Sequence, residues 1–336
     1  MDILEEKEKG RFLHNLSISI LNSNICTTYR MEFSREITEY DEKKCLEIEE
    51  HKSKNRISRI LSIYEKFYKD KMEENRIPIF CIQELRTYNQ DIFIEFFKKI
   101  DYVLHLFPTY PGVKTETIQI DRLDDMKDIE NNRKMRLKRF SFINAIAIPN
   151  FFIVNDQFIY YLSDNPDKFF EQNAWGHSGS RVCGGLELLT PNKQRMKIFS
   201  TQFGMDVNER LKSAELITKI MSQEKLPVII SGDFNSFSNL EENIDLKGDE
   251  QIKILEAAFK RVPINQGTFM GIKAVEKEIY CMNVETGVCT SCLDHIFIQG
   301  DNIQYGKFDR VLPEDKQERM FPYSDHCMIW ADIDII

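Results

Sequence analysis

Short apolar runs that stop at polar clusters constrain this chain more than any other feature. Ile79-Phe80-Cys81-Ile82 leads into Gln83-Glu84, and Val228-Ile229-Ile230 leads into Ser231-Gly232-Asp233-Phe234-Asn235-Ser236. Asp294 precedes Ile296-Phe297-Ile298, and Ser324-Asp325-His326 precedes the last apolar run. Runs of this length, bounded by turn residues, are those of buried strands. Each one therefore brings a carboxylate, amide or imidazole to a strand end, where a sheet meets its ligands.

The rest of the chain alternates in the same way. Leu16 to Ile25 places Leu16, Ile18 and Ile20 on one face, the period of a strand. Ile57, Ile60, Leu61, Ile63, Tyr64, Phe67 and Tyr68 then recur at helical spacing. Further helices are predicted over Asp91–Ile100, Asn208–Ser222 and Glu250–Phe259. Further strands are predicted over Tyr102–Phe107, Phe142–Ile148, Leu186–Leu189, Met196–Thr201, Leu293–Ile298 and Met328–Ile333. Many strands with fewer helices predict an α/β protein of stacked sheets covered by helices. No repeat or low-complexity linker divides the chain, so a single domain over 1–336 is expected, with 1–11 a loose tail and 112–139 a charged surface insertion.

Composition excludes several classes. With 42% apolar and 29% charged residues the chain is neither disordered nor fibrous, and its length supports a core that needs no disulfide or metal to fold. A net charge of −9 means that a polyanion must be met by a local basic patch or a bound cation, which argues against a DNA-coating protein. Eight Cys behind a charged start without an apolar leader predict reduced thiols in the cytoplasm or nucleus. No apolar stretch approaches the roughly 20 residues of a membrane span, and a monomer is expected.

Glu84, Asp233, Asn235, Asp294, Asp325 and His326 together offer hard oxygen ligands and one imidazole, a set suited to Mg²⁺ (or Mn²⁺) rather than to a catalytic zinc. Cys281, Cys289, Cys292 and His295 leave a structural zinc site open, since Cys289 and Cys292 have the two-residue gap of such sites. Strand alternation points His295 away from Asp294. The run Arg133–Arg139, with five basic residues in seven, could track a phosphate backbone or be a solvated loop. Trp175 could stack on a base or simply pack.

The motifs, in their order, resemble those of the endonuclease/exonuclease/phosphatase superfamily, the DNase-I-like fold. They are Asn24-Ile25, Ile82-Gln83-Glu84-Leu85, Ser231-Gly232-Asp233-Phe234-Asn235-Ser236, Leu293-Asp294-His295-Ile296-Phe297 and Tyr323-Ser324-Asp325-His326. Tyr161-Leu162-Ser163-Asp164, Ala174-Trp175-Gly176, Ser180-Arg181-Val182 and Gly267-Thr268-Phe269-Met270-Gly271 are similar to the bacterial-type branch. The resemblance implies a four-layer sandwich of two stacked mixed β-sheets flanked by helices, and Mg²⁺-dependent phosphodiester hydrolysis, with nucleic acid as the leading substrate. Glu84, Asn24 and Asp325 would lie at the metal, and Asp233 beside Asn235 would activate water. His326, fixed by Asp294, would contact the scissile phosphate, with Arg181 as a further phosphate contact. A phosphatase on a small or lipid phosphate is the alternative, since the same residues serve both.

One position departs from the pattern. Where the superfamily has Thr-His-Leu, this chain has Thr201-Gln202-Phe203. An amide hydrogen-bonds to phosphate but transfers no proton at neutral pH, so general-acid help worth roughly 10²–10⁴-fold would be lost. A weakened member that binds a phosphate-bearing ligand or a protein partner is therefore a further alternative.

Overall fold

The computed structural model describes residues 16–25, 57–86, 89–109, 142–168, 175, 180–239, 250–264, 266–269, 271–273, 278–280, 289, 291–312, 324 and 326–336. The expected tail at 1–11, the insertion at 112–139 with its basic run, Cys281 and Asp325 lie outside them. In chain order the strands are β1 (Leu16–Asn24), β2 (Ile77–Arg86), β3 (Tyr102–Pro108), β4 (Phe142–Pro149), β5 (Ile153–Tyr161), β6 (Val182–Leu189) and β7 (Arg195–Gln202). They continue as β8 (Val228–Asn239), β9 (Lys260–Arg261), β10 (Gly271–Lys273), β11 (Glu278–Tyr280), β12 (Ser291–Gln299), β13 (Ile303–Val311) and β14 (Met328–Ile335). The helices are α1 (57–73), α2 (Gln90–Lys99), α3 (Val207–Met221) and α4 (Glu250–Glu256).

Two six-stranded sheets, ordered β13-β14-β1-β2-β4-β3 and β5-β6-β7-β8-β12-β9, face one another. Both are mixed: β1 with β2 and β7 with β8 run parallel, while the other pairs are antiparallel. Successive side chains of a strand point to opposite faces, and here both faces are covered. Ile79 and Cys81, Ile229, and Ile296 and Ile298 enter the core between the sheets. Phe80 and Ile82 turn instead to α1 and α2, where they meet Tyr64, Phe67, Phe93 and Phe97. Ile230 and Phe297 turn to α3 and α4, meeting Ala214, Ile217, Met221, Ile252 and Leu255. The unbroken apolar runs in the sequence are thus strands buried on both sides.

Local chemistry starts and stops these elements. Asp206 caps α3, its carboxylate accepting from the backbone N–H of Asn208 at 2.9 Å and of Glu209 at 3.3 Å. Gly232 lies where β8 passes the Thr201 carbonyl of β7, and a Cβ there would collide with that backbone oxygen. β5 and β13 escape the sequence reading because they are edge strands, whose exposed faces carry Asn155, Asp156 and Gln157, and Gln304 and Lys307. No helix among the described residues is long and apolar enough to cross a membrane.

The parallel pairs decide where chemistry can occur. The C-terminal ends of β1, β2 and β7, with the middle of β8, reach one rim, as the pairings Asn24 with Gln83 and Gln202 with Asp233 show. The antiparallel neighbours β4, β6 and β14 begin at that rim, and β12 pairs Asp294 with Asp233 there.

Candidate active site

A buried polar floor joins the two sheets beneath this rim. Gln83 Nε2 donates to Asn22 Oδ1 at 2.9 Å and to Ser200 Oγ at 3.0 Å, and Ser231 Oγ donates to Asn22 Oδ1 at 2.9 Å. Asn22 Nδ2 in turn donates to Asp294 Oδ1 at 3.3 Å. Five strands are tied together by groups that have no access to water, so the floor is rigid.

Above the floor, two carboxylates share the same two amide donors. Asn24 Nδ2 lies 3.3 Å from Glu84 Oε1 and 3.0 Å from Asp233 Oδ2. Gln202 Nε2 lies 2.7 Å from Glu84 Oε1 and 3.2 Å from Asp233 Oδ2. The carbonyl end of Gln202 accepts from Arg181 Nη1 at 2.6 Å. The Asn235 backbone N–H donates to Asp233 Oδ1 at 2.8 Å, and the Asn235 amide is tied to the Phe203 carbonyl at 2.8 Å. Glu84 (φ 61°) and Asn235 (φ 46°) both take the left-handed conformation, which costs energy in a residue with a Cβ. At Glu84 this falls within a register shift of β2 against β4, a bulge that re-aims the side chain.

On the other side of Asp233, Asp294 Oδ2 stands 2.8 Å from His326 Nδ1. Thr268 Oγ1 accepts from the backbone N–H groups of Leu293 (3.0 Å) and Asp294 (3.2 Å), and its carbonyl accepts from the Cys327 N–H at 2.7 Å. Thr268 thereby joins both members of the dyad. Phe269 meets the His326 ring edge-on at 5.3 Å. The ligating atoms of Asp233, Asp294 and His326 all lie within 4.8 Å of one another.

The two central carboxyls differ in proton affinity. Burial pushes Asp233 up to about 6; His326 opposes the rise, and the charges of Asp294 and Glu84 add to it. Burial would also raise Glu84, but the Arg86 guanidinium, the Gln202 amide and Arg181 outweigh it and hold the carboxyl below its ordinary value.

Asn24, Glu84, Arg181, Gln202, Asp233, Asn235, Asp294 and His326 are therefore gathered in one place. Asn22, Ser200 and Arg86 belong to the same assembly without being marked by the sequence, as do Thr268 and Ser324, which stand there only inside longer motifs; Ser324 Oγ donates to the Asn24 carbonyl at 2.7 Å. Their signal, a polar residue inside or beside an apolar strand, is faint because buried strands accept such residues wherever a partner exists. Cys292 Sγ lies 4.0 Å from His295 Nδ1 and faces the Ile264 carbonyl, but Cys289 pairs instead with the Cys327 thiol at 3.9 Å and His295 Nε2 with Ser236 Oγ at 2.7 Å, so these residues form no metal-holding group among the described residues. Trp175 is buried, its Nε1–H donating to Asp164 at 2.6 Å, which is packing rather than a stacking platform.

The donor set fits a hard divalent cation. It is made of carboxylate oxygens with one imidazole, contains no thiolate, and concentrates negative charge among buried side chains. Among the described residues it is the one cluster of His, Cys, Asp or Glu close enough to hold a metal.

No family sequence model matches the chain, and no relative is found among curated proteins. Solved structures do match. An endonuclease/exonuclease/phosphatase from Bacteroides vulgatus superposes with a TM-score of 0.63 at 14% identity, over 95% of this chain and 99% of that one. A mannosyl-6-phosphatase from Bacteroides thetaiotaomicron gives 0.56 at 14% identity over 94% and 99%. Truncated Caenorhabditis elegans TDP2 gives 0.54 at 12% identity over 95% and 98%. The chain has the DNase-I-like fold of the endonuclease/exonuclease/phosphatase proteins, two stacked mixed sheets flanked by four helices among the described residues.

Proposed function

We propose that this protein is a divalent-cation-dependent phosphodiesterase that acts on nucleic acid. The observation that carries the reading is the convergence of Asp233, Asp294 and His326 on the rim where Glu84 and Asp233 share two amide donors. Mg²⁺ or Mn²⁺ bound there would neutralise charge on the phosphate oxygens. Glu84 and Asn24 would hold it, with Asp325 as the further expected ligand. Without a cation the three carboxylates would repel a phosphate.

The protein's own groups divide the remaining work. Asp233, oriented by the Asn235 N–H, would position the attacking water and take its proton. Asp294 accepts from His326 Nδ1, which leaves Nε2 to contact a phosphate oxygen. Arg181 would bind phosphate as well, steadied by Gln202.

A second reading, a phosphatase on a small phosphorylated molecule, is supported by the mannosyl-6-phosphatase that shares this fold over 94% of the chain. The test is a panel of single-stranded and double-stranded nucleic acid, a phosphoinositide and a hexose phosphate, each with Mg²⁺ and with EDTA. Cleavage of nucleic acid is expected, abolished by EDTA and restored by Mg²⁺ or Mn²⁺. Undiminished turnover in chelator would sink the mechanism, and turnover of the hexose phosphate alone would select the second reading.

A further inference from the structure

Asn144 interrupts the otherwise apolar strand β4. Ile146 and Ile148, two and four positions on, enter the core between the sheets, and alternation sends the buried Asn144 side chain to the same side. There its Nδ2 donates to the Val182 carbonyl at 2.9 Å, while its Oδ1 has no hydrogen-bond partner among the described residues. The Val182 carbonyl is served in any case, because Thr201 Oγ1 donates to it at 3.2 Å. An apolar side chain would remove the unmet oxygen and leave that carbonyl paired, so stability alone does not account for an amide at this position.

The place of Asn144 in the ladder supplies another reason. Ile82 pairs with Ala145 and Leu85 with Ile143, so Gln83 and Glu84, the two residues of the β2 bulge, together oppose Asn144. On the other sheet Val182 follows Arg181 in the chain, and Thr201 precedes Gln202. One carbonyl therefore joins the strand opposite Glu84 to the two segments that carry Arg181 and Gln202, which are themselves bonded at 2.6 Å. The 2.7 Å bond from Gln202 to Glu84 crosses between the same two sheets and tolerates little sliding of one on the other. Phe107, the partner of Asn144 on β3, lies where a Cβ on Gly184 of β6 would collide with it, so the sheets approach closely at this point.

We infer that Asn144 is a positioning residue for Glu84: its bond to Val182 fixes the bulge of one sheet against Arg181 and Gln202 of the other, and so fixes where Glu84 would hold a divalent cation. This rests on the phosphoester-hydrolase reading and adds to it a residue that acts through Glu84, from the core beneath the rim. Groups that orient a metal ligand from behind set the affinity of the site without touching the ion.

The test compares two variants of the full chain. Asn144→Leu keeps the branched shape of the side chain and deletes the bond, and its melting temperature should stay within a few degrees of the native value or rise, because the unmet oxygen goes as well. Asn144→Ala also deletes the bond but should melt lower, from the space it leaves. Mn²⁺ binding, followed by electron paramagnetic resonance without substrate, should weaken by about tenfold or more in both. Equal weakening in two variants of unequal stability separates positioning from loss of folding. Turnover should fall too, and the loss should narrow as Mg²⁺ is raised. Native Mn²⁺ binding in both variants overturns the assignment whatever their stability, as does a loss of turnover that Mg²⁺ does not narrow. Absence of Mn²⁺ binding from the native protein overturns the assignment together with the reading beneath it. Weakened Mn²⁺ binding in the variants, with no phosphoester of the panel cleaved even by the native protein, would support the positioning role and remove the hydrolase reading instead.

Discussion

On one side of Asp233 the site ends in an imidazole held by a carboxylate; on the other it ends in an amide held by an arginine. The His326 flank is fixed by short bonds to Asp294 and by Thr268, which ties together the backbones that carry both residues. On the Gln202 flank the carboxyl, Glu84, is held below its ordinary value, and an amide links Arg181 to two carboxylates. One flank can exchange a proton near neutral pH and the other cannot. Under the proposed function, proton chemistry would fall to the His326 side and charge placement to the Glu84 side.

The sharpest way to break that division is to remove the reacting groups on the first flank while keeping their shape. Asp233→Asn and His326→Gln should each lower kcat by about 10²–10⁴-fold, with melting temperatures within a few degrees of the native protein. Near-native turnover in both would mean that the two flanks have been assigned the wrong roles. A smaller loss, about 10–100-fold, is expected for Gln202→Met, which keeps the length of the side chain but deletes its bonds to Glu84, Asp233 and Arg181. The acid limb of its pH–rate profile should move to higher pH, because the amide that helps hold Glu84 below its ordinary value is gone. An unmoved profile would show that Gln202 does not tune the carboxylates it touches.

The sandwich and most of the first flank were legible in the sequence because buried strands and rim carboxylates leave local signals. Asp233, Asp294 and His326 each adjoin an apolar run, and strand alternation correctly turned His295 away from Asp294. The second flank was less legible. Gln202 stood out only as a departure, and nothing local showed that it would bridge groups from three other segments. Arg86 looked like an ordinary residue after Glu84-Leu85, since its partner ring lies on β4, more than fifty positions further along the chain. Long-range pairings and edge strands depend on neighbours that a sequence window does not contain.

His295 sharpens the comparison from inside a single strand. It lies one residue from Asp294 but on the opposite face, against Phe234 and Phe297, and burial drives its pKa down to about 3. Its native form is therefore neutral at a pH where the unfolded chain, with an ordinary value near 6.5, takes up a proton. The stabilisation this gives is complete above about pH 6.5 and is lost as pH falls toward 3, by about 1.4 kcal/mol per unit. Urea unfolding of the native chain and of His295→Gln across that window should differ in slope by close to one proton. Parallel slopes would mean that this imidazole is not held neutral.

The smallest and most diagnostic effect is expected for Gln202→His, which gives the second flank the residue type of the first. Gln202 uses one acceptor and both amide protons, accepting from Arg181 at 2.6 Å and donating at 2.7 Å to Glu84 and 3.2 Å to Asp233. A neutral imidazole has one donor and one acceptor, so it could keep Arg181 and only one carboxylate. A protonated imidazole could serve both carboxylates but would have no acceptor for Arg181 and would repel it. Two adjacent carboxylates favour the protonated form, so the new ring should stay charged to a higher pH than a free histidine. Turnover should therefore fall by about three- to tenfold on good and poor leaving groups alike, and the loss should deepen as pH is lowered and the ring gains its proton. A gain confined to poor leaving groups would reverse the conclusion, because it would show that the amide marks a missing acid and not a fitted bridge. Equal rates for the two proteins on both substrates would mean that the bridge is not felt in the transition state, and the role given to the second flank would have to rest on Arg86 and Arg181 alone.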